Sequence, residues 1–197
     1  MLVDVLEPAL LHMPEMADDA FFDFCESNEV CRIERTADGP VLVLPLAGPS
    51  TGLRYVALLA QVSNWSHLDG TGAGFGSRVL FRLPNSAMRS PDAAWVSLDR
   101  LRSLTAEEGD TFLPLCPDFV VELTSPSDRI RDVRAKMSEW IAHGAKLGWL
   151  LEVDKRRVHV YRSTGDVEIF EGLTKIQGEG QLATFTLNLA KIWDPGW

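Results

Sequence analysis

The sequence predicts one domain of mixed α and β structure (α/β or α+β), in which a mixed central sheet is flanked by helices. Three observations predict it. Segments with helical spacing and short β-like runs follow one another irregularly, helix then strands then helix then strands. No internal repeat, low-complexity stretch or interdomain linker interrupts residues 1–197. A chain of 197 residues with 46% hydrophobic and 24% charged content is long enough for one substantial core.

Residues 14–27 set Met16, Ala20, Phe21 and Phe24 at helical spacing with acidic residues between them, which predicts a first helix ending near Asn28. CRIERT and PVLVLP are separated by Ala37-Asp38-Gly39, whose Asp-Gly pair is a hairpin signal. Glu34 falls on the first strand of that hairpin and reads as a surface residue. Pro49-Ser50-Thr51 supplies helix-start chemistry. Leu53, Val56, Leu59, Ala60 and Val62 then give an apolar face for a second helix to about His67, packed on the sheet. The glycine-rich residues 70–76 do not make a dinucleotide loop, because Phe75 and Ser77 stand where G-x-G-x-x-G needs glycine and a strand, VLFRL, follows. A turn is expected there.

From Asp92, DAAWVS reads as a strand, and LDRLRSLTAEEGD as a polar, helix-prone surface excursion. DFVVELT is an almost continuous apolar strand, entered through Pro117. Ser127 or Asp128 can cap the next helix, whose apolar positions Ile130, Val133, Met137, Trp140 and Ile141 recur at helical intervals up to Gly144. LGWLLEV and RVHVYR form a hairpin through Asp154-Lys155-Arg156, followed by a short strand at DVEIF and an amphipathic turn over residues 187–192.

No apolar run approaches the roughly 20 residues of a spanning helix. The opening MLVDVLEPALLHMPEM has no basic stretch leading into an apolar core and cleavage site, so the expectation is a soluble cytoplasmic protein with no membrane partner. Cys25, Cys31 and Cys116 form no C-x-x-C pair, which disfavours disulfide and zinc readings and leaves three reduced, mostly buried thiols. His12, His67, His143 and His159 are scattered and read as surface or packing residues. The net charge of −9 counts against a nonspecific nucleic-acid binder. Two features offset it: carboxylates that hold metal add negative charge, and the basic residues cluster as Arg129, Arg131, Arg134 and Lys136, then Lys155, Arg156, Arg157 and Arg162.

The chemistry concentrates in two segments. Strand alternation puts Asp118, Val120, Glu122 and Thr124 on one face of DFVVELT. A glutamate inside so apolar a strand loses hydration at a cost of several kcal/mol unless a cation, a hydrogen-bond network or a metal compensates it. Asp92 enters the other strand, and if the two strands lie side by side, Asp92 and Glu122 converge as the carboxylate ligands of a Mg²⁺ site. Lys136 on the following helix can return its ammonium to that site to orient water or steady transition-state charge. Purely structural alternatives stand beside each: a buried ion pair of Glu122 with Arg129 or Lys136, turn chemistry after proline for Asp92 and Asp118, and a solvated helix surface for Lys136 and the basic cluster.

Taken together, SPDAAWVS and CPDFVVELTSPSDRIRDVRAKMSEWIAHGAKLGWLLEVDKRRVHVYR resemble the Uma-type family of restriction endonuclease-like proteins. CRIERTADGPVLVLPLAGPSTG resembles that family's N-terminal hairpin and GSRVLFRLPNSAMRSPDAAWVS its central strands, so the likeness covers nearly the whole chain. The resemblance implies the PD-(D/E)XK nuclease core, with Asp92 and Glu122 binding Mg²⁺ (Mn²⁺ as a substitute) and Glu34 and Asp118 as supporting carboxylates. It implies phosphodiester hydrolysis by metal-activated water, DNA as partner, and a homodimer, since cutting two strands is simplest with two related sites. The lysine that the family pattern places two positions after the acid is Thr124 here, and Lys136 is the residue able to replace it. The rival expectation, motivated by Thr124 and the acidic charge, is a catalytically degenerate binding or scaffold protein with the nuclease fold.

Overall fold

The computed structural model describes residues 7–196. Residues 1–6 of the segment read above for a leader lie outside them. Six strands form the central sheet, in the order β11 (Val167–Glu171), β10 (Arg157–Arg162), β9 (Leu147–Glu152), β8 (Phe119–Leu123), β7 (Ala93–Ser97) and β4 (Gly72–Gly76). The sheet is mixed: β8 and β9 are parallel and every other neighbouring pair is antiparallel. A parallel pair needs a crossover, and helix α5 (Ile130–Ala142) supplies it.

Side-chain alternation assigns the two faces. Phe119, Val121, Leu123, Trp149 and Leu151 point to the side of helix α2 (Pro49–Asp69), where they meet Leu58 and Val62. Val120 and Leu150 point to the side of α5, where Met137 and Trp140 are fully buried. The central strands β7, β8 and β9 are buried at every residue, which is why they read as continuous apolar runs and not as alternating ones.

The glycine-rich stretch is the first correction: from Gly72 to Gly76 it forms strand β4 beside β7 and not a turn. A Cβ on Gly72 would stand 2.2 Å from Trp95 Cε2, one on Gly74 3.3 Å from Val62 Cγ1 and one on Gly76 2.8 Å from Leu59 Cδ2. The glycines are thus one face of a strand, emptied so that α2 and Trp95 can close on it.

The N-terminal hairpin, β2 (Arg32–Arg35) and β3 (Val41–Leu44), forms with the expected pairing, Glu34 opposite Leu42. It does not join the central sheet. With β1 (Ala9–Leu11), β5 (Phe81–Arg82) and β6 (Met88–Arg89) it makes a separate antiparallel sheet in the order β1, β3, β2, β6, β5. Helix α1 (Asp18–Ser27) covers that sheet through Phe21, which packs with Ile33, Val41, Val43 and Met88. The excursion after β7 contains the short helices α3 (Leu98–Leu101) and α4 (Ala106–Asp110), the latter closed by a capping box between Thr105 and Glu108. Beyond β11, strands β12 (Lys175–Gln177) and β13 (Thr186–Asn188) pair with each other, and α6 (Ala190–Trp193) follows.

Two smaller expectations also change. Asp128 does not cap α5; its carboxylate accepts from Ser125 N and Oγ, both at 2.7 Å, and so folds the loop between β8 and α5. Of the cysteines, all unpaired, Cys116 alone is buried, while Cys25 and Cys31 are half-buried. Among the described residues no helix is long and apolar enough to cross a membrane.

Candidate active site

The antiparallel register of β7 and β8 sets Ala93 opposite Val121, which places Asp92 beside the end of β8. The backbone fixes this junction from both sides: Asp92 N donates to Val121 O at 3.1 Å, and Leu123 N donates to Asp92 Oδ2 at 2.7 Å. Glu122 is then the first outward carboxylate on the α5 face of β8. Its Oε1 accepts from the indole Nε1 of Trp140 at 3.0 Å and lies 2.9 Å from Lys136 Nζ. Lys136 and Trp140 are four residues apart on α5, so one turn of that helix delivers both donors to one oxygen.

Lys136 is therefore not a solvated helix residue. Its ammonium also donates to Glu34 Oε1 at 2.7 Å and to Ser90 O at 2.8 Å. Glu34, read from the sequence as a surface hairpin residue, is fully buried here, enclosed by Lys136, Arg32, Arg89 and the backbone of Ser90. Arg89 completes its surroundings, with Nη1 3.3 Å from Glu34 Oε2 and Nε donating to Glu139 Oε2 at 2.6 Å. Asp92, Glu122, Lys136 and Glu34 are thus brought together, although they come from four elements and both sheets.

Asp118 is not among them. It stands four residues before Glu122, roughly 13 Å away at ordinary strand rise. There its Oδ2 accepts from Ser97 N at 3.0 Å, and its Oδ1 lies 3.1 Å from Arg100 Nη1 and 3.0 Å from Lys146 Nζ. That ion cluster ties the entry of β8 to α3, a structural task at the opposite end of the strand.

Sequence reasoning missed Arg32. Its guanidinium lies between the acids, with Nη1 2.5 Å from Asp92 Oδ1 and Nη2 3.5 Å from Glu34 Oε1 and 3.8 Å from Glu122 Oε2. Nη2 also donates to Ser90 O, while the buried Nε finds no hydrogen-bond partner among the described residues. The sequence carried only a partial signal: Arg32 and Glu34 are two apart on one strand and so share a face, but what that face meets is not encoded there.

Burial dominates the electrostatics. It pushes the Glu122 carboxyl up to about 7, opposed by Lys136 and reinforced by Asp92. Burial would raise Glu34 as well, but Lys136, Arg32 and Arg89 outweigh it and hold that carboxyl down at about 2. Two carboxylates in one cluster are therefore driven in opposite directions, an arrangement that recurs at catalytic sites.

Thr124, which stands at the lysine position of the family pattern, is bonded outside this cluster. Its Oγ1 donates to Leu151 O at 3.3 Å and accepts from Val153 N at 3.0 Å, closing the ends of β8 and β9 together. The acids open into a cleft of about 1740 Å³, whose walls include Arg32, Tyr55, Arg78 and Arg129. The remaining basic residues do not form one track. Arg131 pairs with Asp132, Lys155 with Glu152, Arg157 with Glu171, and Arg162 with Glu168 and Glu179. Among the described residues no set of three or more His, Cys, Asp or Glu side chains is arranged to hold a metal ion.

The same fold occurs in the crystal structure of a protein described as a "putative nuclease" from Anabaena variabilis ATCC 29413. The two share 16% sequence identity, superpose with a TM-score of 0.69, and overlap over 92% of this chain and 93% of that one. No curated protein matches the sequence significantly. The Uma2 family, described as "Putative restriction endonuclease", matches residues 18–190. The architecture is accordingly the restriction endonuclease-like core, and this chain belongs to the Uma2 family.

Proposed function

We propose that the chain is a single-domain nuclease that hydrolyses phosphodiester bonds in DNA, using a divalent cation held by Asp92 and Glu122. One observation carries this reading. Two carboxylate oxygens from adjacent strands, Asp92 Oδ1 and Glu122 Oε2, both face the Arg32 guanidinium, while their partner oxygens are bound to Leu123 N and to Trp140 and Lys136. A pair of hard oxygens turned to one positive group at the wall of a cleft is the donor set that Mg²⁺ uses, with water and substrate phosphate filling its remaining positions. The incompletely bonded Arg32 Nε supports the same reading, since a guanidinium is a poor substitute for a spherical ion there.

When bound, the cation supplies charge stabilisation at the phosphate and a more acidic water. The protein's own groups do the rest. Trp140 and Leu123 N orient the two carboxylates, so that neither must reorganise during reaction. Lys136, anchored by Glu34 and Ser90 O, presents a fixed ammonium at Glu122, the place where a lysine two positions after the acid would otherwise deliver it. Arg129 and Arg78 on the cleft wall offer charge for the backbone of the nucleic acid. Cleavage of both strands by this one site calls for a homodimer.

The test is incubation of labelled duplex DNA, single-stranded DNA and RNA with the protein in Mg²⁺, Mn²⁺ or chelator. The reading expects cleavage of duplex DNA that chelator abolishes. Metal-independent cleavage, or none on any of the three, would instead favour the non-catalytic binding protein.

A further inference from the structure

We propose that Arg32 is a resident cation of the site, so that its ion pairs with Asp92 and Glu122 and the binding of a divalent ion there are mutually exclusive. This rests on the reading of Asp92 and Glu122 as metal ligands and deepens it.

The case is geometric. Each carboxylate has one oxygen tied to protein donors, and the other, Asp92 Oδ1 or Glu122 Oε2, faces the guanidinium at 2.5 or 3.8 Å. An ion ligated by those two oxygens would have to occupy the volume that holds Nη1 and Nη2. The two cannot share that volume, and their mutual repulsion adds to the exclusion. The guanidinium is held through Nη1, on Asp92 Oδ1. Its Nη2 is spread over Glu34, Glu122 and Ser90 O, and its Nε is unbonded. It has a way out, since the Arg32 side chain is 19% exposed at the cleft wall and hangs from β2, outside the central sheet.

Two consequences follow. In the metal-free protein Arg32 neutralises acids that would otherwise repel one another across the junction of the two sheets. In the presence of metal it lowers the apparent affinity by the fraction of molecules in which it still fills the site, so a hundredfold preference for the filled state weakens metal binding about a hundredfold.

Calorimetric titration of Mn²⁺ into wild type, Arg32→Met, Glu122→Gln and the double variant tests this, with Arg32→Gln as a second substitution should the methionine variant fold poorly. The proposal expects Arg32→Met to bind Mn²⁺ at least about tenfold more tightly than wild type, and the added Glu122→Gln to abolish that gain. Binding by Arg32→Met where wild type binds none at millimolar Mn²⁺ supports it equally. If wild type binds through Glu122 and Arg32→Met binds no more tightly, the competition is overturned and the metal site stands. If none of the four binds Mn²⁺, the metal site is overturned and the competition with it.

Discussion

Lys136 Nζ lies 2.9 Å from Glu122 Oε1, a contact that joins helix α5 to strand β8. The Lys136 side chain is 13% exposed and its ammonium is bonded to Glu34 as well, so removing it strands buried acids. Lys136→Met is expected to lower stability by about 3 kcal/mol or somewhat less, since Arg32 and Arg89 still face Glu34. It is expected to lower DNA cleavage about a hundredfold. Lys136→Arg should recover most of the stability and only part of the activity, measured by urea unfolding beside cleavage rates.

Thr124→Lys, which restores the family pattern on paper, should not raise cleavage. It deletes an acceptor for Val153 N and a donor to Leu151 O, at a cost of about 1–3 kcal/mol for the stranded amide. The new ammonium meets a position already served by Lys136. Unchanged or reduced cleavage and a lower unfolding midpoint are expected; a gain in rate would show that Lys136 is an incomplete replacement.

Trp140→Phe keeps most of the buried ring and removes the indole donor to Glu122 Oε1. A loss of about 1–3 kcal/mol is expected from the unmade bond to a buried carboxylate. Weaker metal binding should accompany it, because Glu122 loses the contact that fixes its rotamer. Thermal unfolding with and without Mn²⁺ separates the two effects.

The acids also set opposite pH dependences in metal-free protein. Glu122 is raised in the fold by burial, so its contribution is present below the ordinary glutamate value, about 4.3, and is lost as pH rises through about 7. Glu34 is held at about 2, so its contribution is present above about 4.3 and lost as pH falls toward 2. Glu122→Gln should therefore gain stability relative to wild type as pH is raised from 4.5 to 8. Urea midpoints across that range check it, and a constant difference would contradict the raised carboxyl.

Where the chain was legible and where it was not follows from what each signal encodes. DFVVELT, LGWLLEV and the Asp38-Gly39 hairpin carry their structure locally, through continuous burial and turn chemistry, and they fold as read. Asp92 and Glu122 converge because their strands do lie side by side, a condition that the sequence posed without deciding. The glycine strand β4 was obscured because glycine reads as punctuation; its period of two, Gly72, Gly74 and Gly76, was the available signal. Glu34 was legible only through the family resemblance, and Arg32 not at all, for a different reason. Whether one face of a hairpin meets solvent or a second sheet depends on long-range packing, and nothing within CRIERT distinguishes the two. Asp118 shares a face with Glu122 but not an end of the strand, a distance that alternation alone does not measure.

The most direct test of the central claim is Mg²⁺-dependent cleavage of supercoiled plasmid DNA by wild type, Asp92→Asn and Glu122→Gln, each checked for native circular dichroism. The account predicts cleavage by wild type that falls at least about a hundredfold in both variants. Cleavage that survives in either folded variant would contradict the assignment of the metal to Asp92 and Glu122.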